Sequence, residues 1–232
     1  MRKADIALLL EDVEQNIFLI ESERQKAVND STIQAILKPR VKSCLEHLRS
    51  CLDYCAKDVY TTVIDTNPKK RVYFPYGEQY EKFKSNLDKN IGNLEKTNKD
   101  IYDLIESIQP FRTGDNWLLV LCNATNENKH SQLISQNRVD RVNLEQDGYT
   151  YISFPKGLKI NINNCSFGDT SIESLEITDG KASSSINDTN LNLINWTDFM
   201  FYDFNVSVID FLKKAHCSIS KFQENLYNIL KE

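Results

Sequence analysis

The sequence is poor in the residues on which most recognisable enzyme chemistry depends. Its 232 residues include three histidines, His47, His130 and His216, and seven glycines, all standing singly. Isolated glycines exclude the loops that cradle phosphates or dinucleotides, which need several backbone N–H groups close to the ligand. No cofactor is therefore expected. A nucleophile elbow and a paired metal-ligand motif are missing as well. Long apolar runs are also absent: the stretch from Ile6 to Leu10 stops at Glu11 and Asp12. That is too short for a secretory signal core and far below the roughly 20 residues that cross a bilayer. The expectation is a cytoplasmic protein with no membrane contact and six reduced cysteines, not a disulfide framework. Positive charge is scarce too. With 28 basic and 33 acidic residues the formal charge is −5, which leaves no overall basic field for a nucleic-acid backbone.

What is present reads as a folded chain. Hydrophobic residues make up 41% and charged residues 26%, ordinary proportions for a globular protein. Three long helical patterns come first. Ile6, Leu10, Val13, Ile17 and Ile20 recur at steps of four and three, as do Leu37, Val41, Cys44, Leu48, Cys51 and Cys55. Asp30-Ser31-Thr32 offers a cap before the second helix, with Ser31 and Gln34 spaced as a capping box. Pro39 either kinks this helix or stands in its first turn. The third pattern runs through Tyr80, Leu87, Ile91, Leu94, Ile101, Ile105 and Ile108, with Asn98 on the stripe. The second and third helices would each extend about 30 residues, or roughly 45 Å. The segment DTNPKKRVYFPYGE breaks the chain between them. Stripes this narrow are not stable alone, so the helices must pack on one another or on a second copy.

A fourth, shorter helix is apolar on all sides from Trp117 to Cys122. Beyond about residue 137 the texture changes to dense Asn, Ser, Thr and Gly with short alternating runs at 149–154, 158–162 and 172–177. Asp179-Gly180 is a hairpin-type turn, 196–204 an aromatic strand, and a helix from Val208 to Leu230 closes the chain. The reading is α+β: an N-terminal antiparallel bundle of long helices (1–136), followed by a small antiparallel sheet and a C-terminal helix (137–232).

Four features could carry chemistry. Cys44, His47, Cys51 and Cys55 share one face of the second helix, but Cys44 and Cys55 would stand roughly 16 Å apart, too far for one tetrahedral site. Only His47 and Cys51 could share an ion, and buried cysteines more often serve as small core residues. Lys69-Lys70-Arg71 beside Tyr73, Phe74 and Tyr76 has the composition that holds single-stranded nucleic acid, or of a solvated loop whose aromatics fold onto the helices. Asn98 either sets register within a seam or lies at its wet edge. The fourth feature is "LCNATNENKH", residues 121–130. Here His130 could act as general acid or base, Lys129 could stabilise a negative intermediate, and Asn126, one turn before, could orient the imidazole. The plainer role is to supply polar side chains to the free carbonyls of a buried helix end.

Three landmarks, "LRSCLDYCAKDVY", "VYFPYG" and "LCNATNENKH", together resemble an uncharacterised bacterial family. Its members carry a leucine-aspartate helix, a Phe-Pro element and an Asn-rich Asp-Lys-His-Arg motif. The likeness covers residues 40 to 135, with Asn128 in place of the aspartate and Ser131 in place of the arginine. More distantly, the helical order is similar to HEPN domains, whose ribonuclease members use an arginine and a histidine about five apart, assembled across a dimer. Thr125 stands five before His130, and the nearest upstream arginine is Arg112. The resemblance therefore implies a structural or inactive version. The expectation is a non-catalytic module that self-associates as a homodimer or binds a protein partner through its long helices. The alternative is a metal-independent ribonuclease acting on RNA through His130, Lys129 and Asn126.

Overall fold

The computed structural model describes residues 1–64, 71–130, 133–182 and 191–230, the side chains of 127–130 excepted. Helices and antiparallel sheets are both present, with helices first and a helix last. The chain forms two compact units, each drawn from separate stretches: Met1–Glu21, Leu37–Ser135 and Phe201–Glu232 in one, Ser22–Ile36 and Gln136–Met200 in the other. The change in sequence texture near residue 137 marks only one of these crossings. The closing helix belongs with the N-terminal helices, and residues 22–36 belong with the sheets.

In the helical unit, α1 (Lys3–Asn29) and α2 (Lys38–Val59, continued by a π turn at Tyr60–Ile64) bury the stripes that their periodicity marks. Ile6, Leu10, Val13, Ile17 and Ile20 are sequestered, as are Val41, Cys44, Leu48, Cys51 and Cys55. The stripes are thus consumed inside the chain. Pro39 stands in the first turn of α2, where its missing N–H costs nothing. The expected cap lies elsewhere: Asp30 Oδ1 accepts from Thr32 N at 2.9 Å, closing a local turn, while Leu37 in a left-handed conformation (φ 34°) precedes α2.

The third pattern is not one helix but three: α3 (Tyr80–Ile91), α4 (Leu94–Thr97) and α5 (Lys99–Ser107). Asn93 turns left-handed (φ 65°) after Gly92, and Asn98 becomes the cap of α5, its Oδ1 accepting from Ile101 N at 3.0 Å. An Asn that stabilises a helix start ends the helix before it, which is why the apolar stripe outlasts the helix. Tyr80 also departs from the stripe and is exposed. After α6 (Pro110–Thr113) come α7 (Trp117–His130) and, from the far end of the chain, α8 (Val208–Ile229), whose start is capped by Ser207. Helix α2 packs against both α7 and α8.

The strands are β1 (Gln136–Gln146), β2 (Tyr149–Pro155), β3 (Lys159–Phe167), β4 (Thr170–Thr178), β5 (Lys181–Ala182) and β6 (Asn192–Phe201) in the other unit, and the short β7 (Val206–Ser207), whose residues count with the helical unit. One sheet has the order β2-β1-β6-β7 and the other β3-β4-β5. Val142, Leu144, Phe154, Ile162, Phe167, Leu175 and Ile177 form their common core. Asp179 (φ 48°) and Gly180 (φ 75°) make the expected two-residue hairpin between β4 and β5. Arg138 holds the 22–36 stretch in place, its guanidinium donating to the carbonyls of Ala27, Asp30 and Ile33 at 2.7–2.8 Å.

Candidate functional site: a polar cleft on the helical unit

The segment from Arg71 to Gly77 belongs to no helix or sheet, so its backbone groups must find partners elsewhere. Side chains supply them. Tyr73 N donates to Asn90 Oδ1 at 3.1 Å and Phe74 N to Asp53 Oδ1 at 2.7 Å. Gln109 closes two more bonds, donating to Pro75 O at 3.2 Å and accepting from Gly77 N at 3.2 Å. Asn86 Nδ2 completes the clamp on Tyr76 O at 2.7 Å. The Phe74 ring is buried edge-on against Phe222, centroids 5.4 Å apart. Gly77 sits so close to α3 that a β-carbon there would lie 2.3 Å from Phe83 N. Phe74 is therefore fixed against the helices, whereas Tyr73 stays half exposed. Arg71 is exposed, and Lys69 and Lys70 lie outside the described residues.

Arg49 stands behind this segment on α2. It pairs with Asp53 one turn on at 3.4 Å, donates to Cys122 Sγ, and lies 5.0 Å from the centre of the Tyr76 ring. Burial alone would weaken its hold on its proton; Cys122, Asp53 and Tyr76 more than offset that. Burial also pushes the Cys122 thiol up to about 12, with Arg49 pulling the other way. Cys122 is consequently a neutral thiol near pH 7, inert as a nucleophile. The Tyr76 hydroxyl is raised mainly by burial, and its hydrogen bond with Asn126 acts against the rise.

Helix α7 forms the opposite wall. Leu118, Leu121, Cys122 and Thr125 are buried, whereas Asn123 and Asn126 are exposed. Thr125, five before His130, donates to the carbonyls of Leu121 and Cys122 at 2.9 Å and serves the helix alone. Between this wall, α3 and the clamped segment lie two adjoining hollows that share Tyr76, Lys82 and Asn86. One, of about 360 Å³, reaches Arg49, Asp53 and Asn126. The other, of about 460 Å³, reaches Glu78, Asn116 and Asn123. Among the described residues, Lys82, Glu78, Asn116 and Asn123 have no side-chain partner inside the chain.

Of the three site residues expected from sequence, Asn126 lines the cleft. Helix α7 carries the backbone of Lys129 and His130 one turn further, and helical spacing puts position 130 on the face of Asn123 and Asn126. The side chains of Asn128, Lys129 and His130, and all of Ser131, lie outside the described residues. The proposed ion-sharing pair does not converge: His47 Nδ1 meets Asp12 Oδ2 at 3.1 Å, and Cys51 Sγ, fully buried, points to Ile6 O at 3.9 Å. No group of three or more metal-ligating side chains gathers among the described residues. No helix among them is long and apolar enough to cross a membrane. Sequence reasoning missed Arg49, Lys82 and Asn86; Tyr76 was singled out only with Tyr73 and Phe74 beside the basic cluster. Comparison with known family models, curated proteins and solved structures found no match for this chain.

Proposed function

We propose that the chain is a non-catalytic, partner-binding protein whose cleft receives an extended segment of another polypeptide. The observation that carries this reading is the state of the cleft's polar groups. One set of amides already grips the backbone of a non-helical, unpaired segment of the chain itself at 73–77. A second set, Asn116 and Asn123 with Lys82 and Glu78, stands beside it without intramolecular partners among the described residues. Carboxamides both donate and accept, so they match a peptide backbone, which alternates N–H and C=O. Tyrosines with asparagines are also the pairing that protein-recognition surfaces favour, rigid contact area beside adaptable hydrogen bonding. One cation and one anion along the groove suit a partner of mixed charge better than a polyanion. The unpaired cysteines among the described residues fit a reducing compartment, and we assign the protein to the cytoplasm.

The test is occlusion. Asn123→Trp fills the groove from an exposed position and leaves the core untouched. It should abolish recovery of the partner that wild type retains, with the circular dichroism spectrum and Tm unchanged. Retention of the same partner by a folded Asn123→Trp protein would remove the reading.

A second reading, a HEPN-like ribonuclease using His130 with Lys129 and Asn126, is favoured by one observation. Asn126 lines the cleft together with Tyr76, and position 130 follows one turn later on the same face. Cleavage of total RNA by purified protein, lost in His130→Ala, would establish it in place of the first.

A further inference from the structure

Three buried side-chain atoms among the described residues have no hydrogen-bond partner, and all three belong to β1: Arg141 Nε, Asn143 Oδ1 and Gln146 Oε1. Folds seldom leave such groups bare, because each has lost its water without a replacement. Two of them share a face. Val142 and Leu144 point into the core, so strand alternation turns Arg141, Asn143 and Glu145 outward, with Arg141 and Asn143 roughly 7 Å apart. Gln146, past the register shift after Leu144, lies beside Gly168 instead. On one side, β2 sets Pro155 opposite Arg141 and Ser153 opposite Asn143. On the other lies β6. There Thr197 Oγ1 donates to Asp140 Oδ1 at 2.6 Å, and Asn195 and Val142 both approach Gly180. That register puts Trp196 level with Arg141 and Ile194 level with Asn143.

The neighbouring acids are engaged elsewhere. Glu145 Oε1 accepts from Asn143 Nδ2 and from Thr150 Oγ1, each at 2.9 Å. Because a carboxylate only accepts, the Asn143 amide is locked with Oδ1 lacking a donor. Asp198, two residues past Trp196 on the same side, is buried and accepts from Phe199 N at 2.8 Å. The Arg141 guanidinium has neither ion pair nor hydrogen bond among the described residues.

We propose that this face docks a partner protein through one acidic side chain, whose carboxylate takes the Arg141 fork while an adjacent backbone N–H donates to Asn143 Oδ1. An arginine fork matches a carboxylate in shape as well as charge. The carboxylate alone cannot serve Asn143, which needs a hydrogen; a polypeptide carries both groups side by side. Exposed Pro155, half-buried Trp196 and Ile194, 42% exposed, supply apolar contact around the charge, the arrangement of an interface hot spot. Nucleic acid also offers an anion, but residues 136–200 hold nine acidic and five basic side chains, a field that repels polyphosphate. The inference does not rest on the cleft, which belongs to the other unit, and either can fail alone.

Peptides selected from a random library on the immobilised full chain are the probe. Wild type should enrich sequences that share an Asp or Glu. Their dissociation constants should rise about tenfold or more in Arg141→Met, rise also in Arg141→Lys, which lacks the fork, and stay unchanged in Asn123→Trp. Without peptide, Arg141→Met should melt about 2–4 °C above wild type, since it removes a donor that the fold leaves bare. No enrichment, or equal binding of the selected peptides by folded Arg141→Met, overturns the proposal. So does binding of polyuridylate that Arg141→Met abolishes. A lower melting temperature for Arg141→Met also overturns it, because the guanidinium would then already be satisfied within the fold.

Discussion

The hydroxyl of Tyr227 donates to Asp58 Oδ2 at 2.7 Å, joining the last turns of α8 to the end of α2 through a carboxylate that is almost wholly buried. Arg2 completes the arrangement, its backbone N–H meeting Oδ2 at 2.5 Å and its guanidinium Oδ1 at 2.6 Å. A buried carboxylate needs such donors, because an unsatisfied charge in the interior costs more than any one bond contributes. Tyr227→Phe removes one donor without changing the packing. It should cost about 1–3 kcal/mol, read from the urea midpoint at neutral pH; a change within error would show that Arg2 alone satisfies Asp58.

The thiols of α2 and α7 set an alkaline limit on stability. Burial pushes Cys44, Cys51 and Cys122 up to about 12, whereas an unfolded cysteine titrates near 9.0. Between those values the unfolded chain releases protons that the fold retains, so stability is complete below about pH 9 and falls as pH rises toward 12. Each thiol contributes on the order of 1.4 kcal/mol per pH unit in that window. Denaturation midpoints at pH 7, 9 and 10.5 should decline steeply only above 9, and Cys51→Ala should flatten the slope. An unchanged slope in that variant would assign the loss elsewhere.

Asp53 neutralises Arg49 and holds Phe74 N at once. Asp53→Asn keeps an acceptor for Phe74 but leaves a mostly buried guanidinium without its carboxylate, an exchange that should cost about 3–5 kcal/mol. Arg49→Met with Asp53→Asn should recover much of the loss, since the double variant buries no charge. Failure to recover would mean that the guanidinium serves chiefly through Cys122 and the Tyr76 ring.

Gly77→Ala should be more damaging than its size suggests. The added carbon would press on the backbone of Phe83, so the aromatic segment must lift from α3. Overpacking of this kind costs about 1–3 kcal/mol, and the lift should also separate Asn86 from Tyr76 O. Faster amide exchange at Tyr73 and Phe74 in this variant is the expected signature; unchanged exchange would show that the clamp tolerates the shift.

Loss of the Asn98 cap isolates the break within the third pattern. Asn98→Ala should cost about 1 kcal/mol and fray the start of α5, measured as lost protection at Ile101 N. Undiminished protection would show that tertiary packing alone sets the break.

Much of this architecture could be read in advance, and the failures have a common cause. Buried stripes in α1, α2 and α8 follow from spacing because a helix repeats its faces regularly. The Asp179-Gly180 hairpin follows from the left-handed conformations that these two residues accept. Asn98 misled because a polar residue within an apolar stripe looks the same whether it seeds register or caps a new helix; only the backbone at 98 (φ −150°) decides. β1 escaped notice because its core side offers only Val142 and Leu144 before Gln146. The cleft was invisible for a stronger reason. Arg49, Asp53, Asn86, Asn90 and Gln109 converge on residues 73–77 from three separate helices or their ends, and no local pattern encodes meetings of that range. The exposed Asn123 and Asn126 were legible as polar, but not as the wall of a groove.

The central claim is that this groove holds an extended protein segment. A photo-activatable amino acid placed at Asn123 in the native cell tests it most directly, with the same group at the exposed Glu224 as control. Covalent adducts to one protein at position 123, absent at 224, are the result the account expects. Adducts to RNA at 123, or equal labelling at both positions, would contradict it.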